Sequence, residues 1–257
     1  MASLRARALS GLPEVRGGDD LARLIADAAG EEEPLRDGQL VVIAHKAVSK
    51  AEGAVVSLGD VHPGDRAVQL AAQAAATGQL RDARMIQAVL DECVQVVRAE
   101  RGVLICRTRH GFVCANAGVD ASNAADADTV ILLPRDPDGS ARRIRARLRE
   151  LSGASVAVLI TDSFGRAWRH GQLDVAIGLA GMQPLDDWRG RDDARGMRLQ
   201  ATWLAVADAA GAVAELARAK DSREPVVVVD GLARYLSDED GPGATALLRP
   251  LEEDLFR

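Results

Sequence analysis

Short, unbroken apolar runs recur along the chain, each closed by glycine, proline or a polar cluster. "QLVVIA" (39–44), "VILLP" (130–134), "SVAVLIT" (155–161), "LDVAIGLAGM" (173–182) and "PVVVVDGL" (225–232) read as buried strands, being short and rich in β-branched residues. "VLICRTRHGFVCANAG" (103–118) alternates about His110-Gly111 and reads as a hairpin. Between these runs the period changes to that of a helix. Residues 17–30 read as a turn, an Asp cap and an amphipathic helix, and the helices over 62–78 and 81–102 each close on glycine. An arginine-rich helix is predicted over 136–153, and the longest helix over 199–220. "HKAVSKAEG" after the first strand reads as a basic, small-residue loop, 186–197 as a charged loop, and 236–257 as a loop with a last short helix. Strands spread along the chain and interleaved with helices predict a mixed α/β or α+β protein rather than a sandwich or bundle.

Composition narrows the class without naming a function. The chain has 257 residues, enough for one large domain or two small ones. A net charge of −6 argues against non-specific nucleic-acid binding, which depends on Lys and Arg neutralising phosphates. It leaves room for a locally basic pocket that takes a phosphorylated small molecule. Cys93, Cys106 and Cys114 lack metal-site spacing and read as reduced, half-buried thiols, with Cys106 and Cys114 flanking the hairpin. No apolar run is long enough to span a membrane and no signal-peptide pattern opens the chain, so a soluble, cytoplasmic protein is expected.

Three polar clusters interrupt the apolar strands. The first is His45, Lys46, Ser49 and Lys50 after "LVVIA". Ammonium groups at a strand exit suit phosphate oxygens, and a solvated loop is the plain alternative. The spacing is not that of a P-loop. The second is "NAGVDASN", with Asn116, Asp120, Ser122 and Asn123, equally an Asx-turn or a hard-metal or ribose-phosphate site. The third is "LITDSFGRAWRHGQLDVAIGLAGM" (159–182), where Asp162 emerges from a buried strand and Ser163, Arg166, Arg169 and His170 follow. A strand-end carboxylate suits Mg²⁺ or Mn²⁺ bridging substrate phosphates; an Asp162–Arg166 pair that ties down the loop is the alternative. Together the clusters read as metal-assisted handling of a nucleotide or polyphosphate.

At these residues the sequence resembles the coenzyme F420-0:L-glutamate ligases (gamma-glutamyl ligases). The likeness runs in order through "GLPEV…GDDLA", "AVSKAEG", "CANAGVDASN", "LLPRDPDGSA", "ITDSFGRAWRHGQLDVAIGLAGM", "DWRGRDDARG" and "DGPGATALLRPLEEDLFR", nearly the whole chain. The resemblance implies a GTP-dependent ligase with two divalent cations, Mg²⁺ or Mn²⁺, and K⁺ assisting. Such enzymes add glutamate, and further gamma-linked glutamates, to the deazaflavin F420-0 or its dehydro form through an acyl phosphate. It also implies an unusual α+β fold forming an intertwined homodimer. A single ligase domain over 1–257 is expected, lacking the C-terminal nitroreductase-like domain of fused relatives. Carried over by position, Asp120 and Asp162 are metal ligands with Ser163; read from their own chemistry, Arg166 and Arg169 hold substrate phosphate or carboxylate bidentately. Lys50, Asn123, the His45-Lys46 pair and the turn Leu12, Pro13, Glu14 and Val15 contact the nucleotide, and the 218–224 loop lies near the phosphates.

The chain also departs from the family pattern. The late loop is "ARAKDSRE", with Ala219 and Lys220 where archaeal relatives carry a Met-Gly-Glu type motif that supplies a metal ligand. Lys220 is the residue that would replace that ligand by direct phosphate contact. Asp208-Ala209 stands for an Asp-Glu pair, and Asp230 for an Arg. Two other readings share these residues: an amide ligase of a specialised pathway, and a catalytically silent nucleotide- and metal-binding homologue.

Overall fold

The computed structural model describes residues 3–31, 33–122 and 128–254. In chain order the elements are β1 (Arg5–Ala8), α1 (Leu21–Ala29), β2 (Leu40–Ala44), α2 (His45–Ala51) and β3 (Val55–Ser57). Then follow α3 (Asp65–Ala76), α4 (Ala83–Asp91), β4 (Cys93–Glu100), β5 (Val103–Thr108), β6 (Val113–Ala115) and β7 (Thr129–Ile131). The last are α5 (Pro137–Ser152), β8 (Ala157–Arg166), β9 (Arg169–Ala180), β10 (Leu185–Asp187), β11 (Trp203–Ala205), α6 (Val206–Ala217) and β12 (Val226–Asp230). Several small sheets with helices between them make a mixed α+β fold.

A five-stranded sheet ordered β1-β12-β2-β8-β9 carries the main core. Only β2 and β8 run parallel; the other neighbours are antiparallel. Val41, Ile43, Val158 and Ile160 pack on one face against α1, α2 and α5, while Leu40, Val42, Leu159 and Val229 pack on the other against α6. Burial on both faces is why these strands read as continuous apolar runs rather than alternating ones. A three-stranded sheet, β4-β5-β6, packs with α3 and α4 around a separate cluster that includes Leu58, Ile86, Val89, Cys106 and Val130.

Three expectations need correction. Residues 81–102 are not one helix: α4 ends at Asp91, and Cys93–Glu100 pairs with β5. β-Branched Val94, Val96 and Val97 favour the strand, and the pairing with β5 is a tertiary term that helix periodicity does not see. "HKAVSKA" is no loop but the helix α2, with His45, Ala47, Val48 and Ser49 buried. The longest helix is α5, with 16 residues, because 203–205 is strand and α6 keeps only 12. The hairpin at 103–118 forms as expected, with Cys106 opposite Cys114 in register; both thiols are free and burial pushes each up to about 12. Among the described residues no helix is long and apolar enough to cross a membrane.

Several of the segments that carry the family likeness serve architecture. Asp138, near the start of α5, is buried, and its Oδ1 accepts from Leu179 N (2.8 Å) and Ala244 N (2.7 Å). It thereby joins "DPDGSA", "AIGLAG" and "GPGATALL". A Cβ at Gly178 would lie 2.5 Å from Pro137 O, so α5 crosses β9 at a distance only glycine permits. Asp138→Ala is expected to cost about 3 kcal/mol or more, since two buried N–H groups lose their acceptor. Urea unfolding monitored by circular dichroism checks this; a loss below about 1 kcal/mol would mean those N–H groups find other partners.

Candidate functional site

The polar clusters assemble where β2 and β8 leave the sheet. β9 carries one extra residue here: Ile160 pairs with Gly178, but Thr161 pairs with Ala176. Such a bulge re-aims the side chains that follow it. Beyond it, Asp162 stands opposite Val175 and Ser163 opposite Asp174. β2 runs straight into α2, whose first residue His45 brings Nε2 to 3.3 Å from Asp162 Oδ1. That contact lacks hydrogen-bond alignment, so Nε2 is a buried polar atom without a hydrogen-bond partner among the described residues, while Nδ1 lies 3.4 Å from Ser49 Oγ. Asp162 Oδ1 also accepts from Ser163 N at 2.8 Å.

The next residue of α2 reaches the second cluster. Lys46 Nζ lies 2.6 Å from Asp120 Oδ2 and donates to Ser122 Oγ at 2.6 Å. Asp120 is held by its backbone, which exchanges hydrogen bonds with Ile131 (3.0 and 2.8 Å). Its Oδ1 accepts from Ser122 N at 2.7 Å, so the Asx-turn and the lysine-bound carboxylate are both present. Burial pushes the Asp120 carboxyl up, but the Lys46 ammonium and Ser122 N–H outweigh it and keep the group below the ordinary carboxylate range. Asn123 lies outside the described residues.

At the far end of α2, Lys50 Nζ pairs with the Glu14 carboxylate, bringing together two residues expected at the nucleotide. Of the turn before α1, Pro13 and Glu14 are exposed; Leu12 is half-buried against the core and Val15 is buried within it. The side chains of Leu12 and Val15 therefore pack, and only the tip of the turn faces outward.

Sequence reasoning missed the most buried charge. Asp174 is 1% exposed, inside "LDVAIG", and an acid within an apolar strand was the available signal. Its Oδ1 accepts from Ser163 Oγ (2.7 Å) and its Oδ2 from Thr161 Oγ1 (3.0 Å) and from Arg218 Nη2. Burial would raise its carboxyl, yet the Ser163 hydroxyl and the Arg218 guanidinium hold it below the usual range. Glu215 Oε2 accepts from Asp174 N (2.9 Å), and Lys220 Nζ donates to Ser163 Oγ (2.7 Å) and lies 3.0 Å from Glu215 Oε1. Asp208 accepts from Ala176 N (2.9 Å), and burial raises its carboxyl. Asp230 accepts from Gln39 Nε2 (2.9 Å) on β2's side of the sheet, so that departure from the family pattern serves strand pairing.

Arg166 and Arg169 are not brought to Asp162. They face each other at the exposed tip of the β8–β9 hairpin, four residues beyond it, or about 13 Å along a strand. Arg166 donates to His170 O (2.7 Å) rather than to Asp162, so the loop-tying pair does not form. Among the described residues no three His, Cys, Asp or Glu side chains converge as a ready-made metal cluster. What the geometry offers is two carboxylates, Asp162 on β8 and Asp120 at a bridge to Ile131, that both meet the first turn of α2, with Lys46 on one, Lys220 beside the other and a buried acid–arginine pair next to it.

Residues 11–231 match the sequence model of a family described as F420-0:Gamma-glutamyl ligase. The coenzyme F420:L-glutamate ligase of Methanopyrus kandleri is 45% identical over 246 residues, which are 95% of this chain and 94% of that protein. The proteins of the same name from Methanothermobacter thermautotrophicus and Halobacterium salinarum are 42% and 41% identical over 251 and 256 residues. They are covered over 97% and 96% of their lengths, and this chain over 97% and 99%. A family model matched over most of the chain and relatives at 41–45% identity along nearly its whole length show that this chain belongs to the F420-0:gamma-glutamyl ligases.

Proposed function

We propose that the chain is a coenzyme F420-0:L-glutamate ligase acting in F420 biosynthesis, driven by GTP and working as one cytoplasmic ligase domain. The observation that carries this reading is Asp162, a carboxylate just past the bulge of the β8–β9 pair and 3.3 Å from a buried His45 nitrogen that makes no aligned hydrogen bond among the described residues. Family membership supports the glutamate ligation, and relatives of that name align end to end.

The reaction has two steps. A carboxylate oxygen of F420-0 attacks the γ-phosphorus of GTP; the new P–O bond forms as the bond to GDP breaks, leaving an acyl phosphate. The glutamate amine then attacks the acyl carbon, the C–N bond forms, and inorganic phosphate leaves with the C–O electron pair while the amine loses a proton. In phosphoryl transfer the protein contributes mainly position and charge. Lys46 and Lys50 supply ammonium charge on one helix for the phosphates, beside the Glu14 tip of the N-terminal turn. Lys220, turned on Ser163 and Glu215, stands apart from these two. Arg166 and Arg169, as planar donors, take the substrate's phosphodiester or carboxylate.

Carboxylate oxygens fit Mg²⁺ or Mn²⁺, which bind through one or two carboxylates and complete their shells with phosphate and water. Asp120 and Asp162 are the residues that would hold such ions, which would neutralise phosphate charge; the Ser163 hydroxyl beside them is engaged with Asp174 and Lys220. K⁺ fits less well: the oxygens of Ser163 and Glu215 are already turned on the Lys220 ammonium.

The homodimer belongs to the same proposal. The β8–β9 hairpin projects past the sheet with Trp168 83% exposed, and Val94, Val97 and Val113 lie bare on the small sheet. Light scattering at micromolar concentration is expected to give twice the chain mass; a monomer mass would remove the dimer from the proposal. For the activity, the protein is incubated with F420-0, L-glutamate, GTP and Mn²⁺. Mass spectrometry is expected to find F420 bearing one or more added glutamates, formed only with GTP present. No adduct from F420-0 or its dehydro form would overturn the reading.

A further inference from the structure

Lys220 holds a position that differs from those of the other site lysines. Its Nζ is 2.7 Å from Ser163 Oγ, 3.0 Å from Glu215 Oε1 and 3.8 Å from Asp174 Oδ1. Ser163 has one hydroxyl proton, which goes to Asp174 Oδ1 at 2.7 Å, so a lone pair faces Lys220. Glu215 is oriented by accepting from Asp174 N through its other oxygen. Three oxygens from β8, β9 and α6, none of them offering a proton, therefore converge on one ammonium.

The charges close around a single positive unit. Asp174 and Glu215 are largely buried at their carboxylates, with side chains 2% and 18% exposed. Arg218 compensates Asp174 and ties the loop through Pro225 O at 2.9 Å. One negative charge is left, and Lys220 supplies its counterpart. The lysine side chain is 69% exposed, so what it brings to these oxygens is a charge rather than packing.

We infer that Lys220 is a monovalent cation tethered to the chain: it fixes the Ser163 oxygen and the 218–225 loop, and a free monovalent cation is not needed. This departs from the K⁺ that the family resemblance implies. Only its activity arm rests on the ligase reading. Removing the ammonium leaves one uncompensated charge among three oxygens, which a small free cation of the same charge can fill.

The test compares wild type, Lys220→Ala and Lys220→Met in KCl and in choline chloride at equal ionic strength, choline being too bulky to enter. Ligation of F420-0 with GTP and Mn²⁺ is one readout. The thermal midpoint without substrates is the other, with NH₄Cl added as a third salt. The wild-type rate and midpoint are expected to be the same in every salt. The variants are expected to be about tenfold slower in choline chloride, as for loss of one charge-assisted hydrogen bond, and to recover in KCl. Their midpoints are expected to rise by about 2–4 °C in KCl or NH₄Cl, as ligand linkage requires. A wild type that needs K⁺, or variants indifferent to the cation, would overturn the inference. If wild type ligates nothing, the ligase reading fails while the midpoints still decide this one.

Discussion

Asp162→Asn is expected to abolish ligation and leave the protein folded. The side chain is only 16% exposed, but among the described residues its one aligned hydrogen bond is from Ser163 N at 2.8 Å, which an amide oxygen accepts equally well. The change therefore removes a charge without removing volume or an acceptor. What is lost is the anionic oxygen at the exit of β8, where neutralisation of phosphate charge contributes several kcal/mol, or about a thousandfold in rate. The thermal midpoint is expected to stay within about 4 °C of wild type, a change of no more than about 1–2 kcal/mol. Rates are measured across a Mn²⁺ titration. Activity recovered at saturating Mn²⁺ would show that Asp162 tunes affinity only, and activity unchanged throughout would end its role as a ligand.

Lys50→Ala is expected to weaken GTP binding by about ten- to a hundredfold, the equivalent of about 1.5–3 kcal/mol for one partly desolvated charged contact. Deazaflavin binding should be unchanged. The Lys50 side chain is 16% exposed and its ammonium is paired with Glu14, whose own side chain is 69% exposed. A phosphate can therefore displace the glutamate without disturbing the core. Glu14→Gln separates the two readings: it should leave GTP affinity unchanged or tighter if Lys50 serves phosphate. Titration calorimetry of GTP and F420-0 on the three proteins reads this. Equal weakening of both ligands by Lys50→Ala would reduce Lys50 to a tether for the N-terminal turn.

Much of this protein is legible along the chain. The strands β2, β8, β9 and β12 announce themselves because both faces of their sheet are buried, which forces unbroken apolar runs. Helices α1 and α5 are legible because their Asp caps act locally; Asp20 accepts from Arg23 N and Asp136 from Gly139 N. The polar residues at the strand exits could be singled out for the same reason, as interruptions where burial would otherwise continue. Other features were decided only in three dimensions. β1, "RARA", carries no apolar signal and is a strand because it pairs with β12 more than 200 residues away. β4 follows helical sequence without a glycine or proline between, and only the partner β5 makes it extended. Asp174 looked like part of a strand, yet its charge is tolerated because Ser163 meets it across a bulge and Arg218 arrives from beyond α6. Arg166 and Arg169, eight residues or fewer from Asp162 in sequence, are carried away from it by an extended hairpin. Local periodicity records which face of an element is buried; strand pairing and the neutralisation of a buried charge depend on partners that only the folded chain brings near.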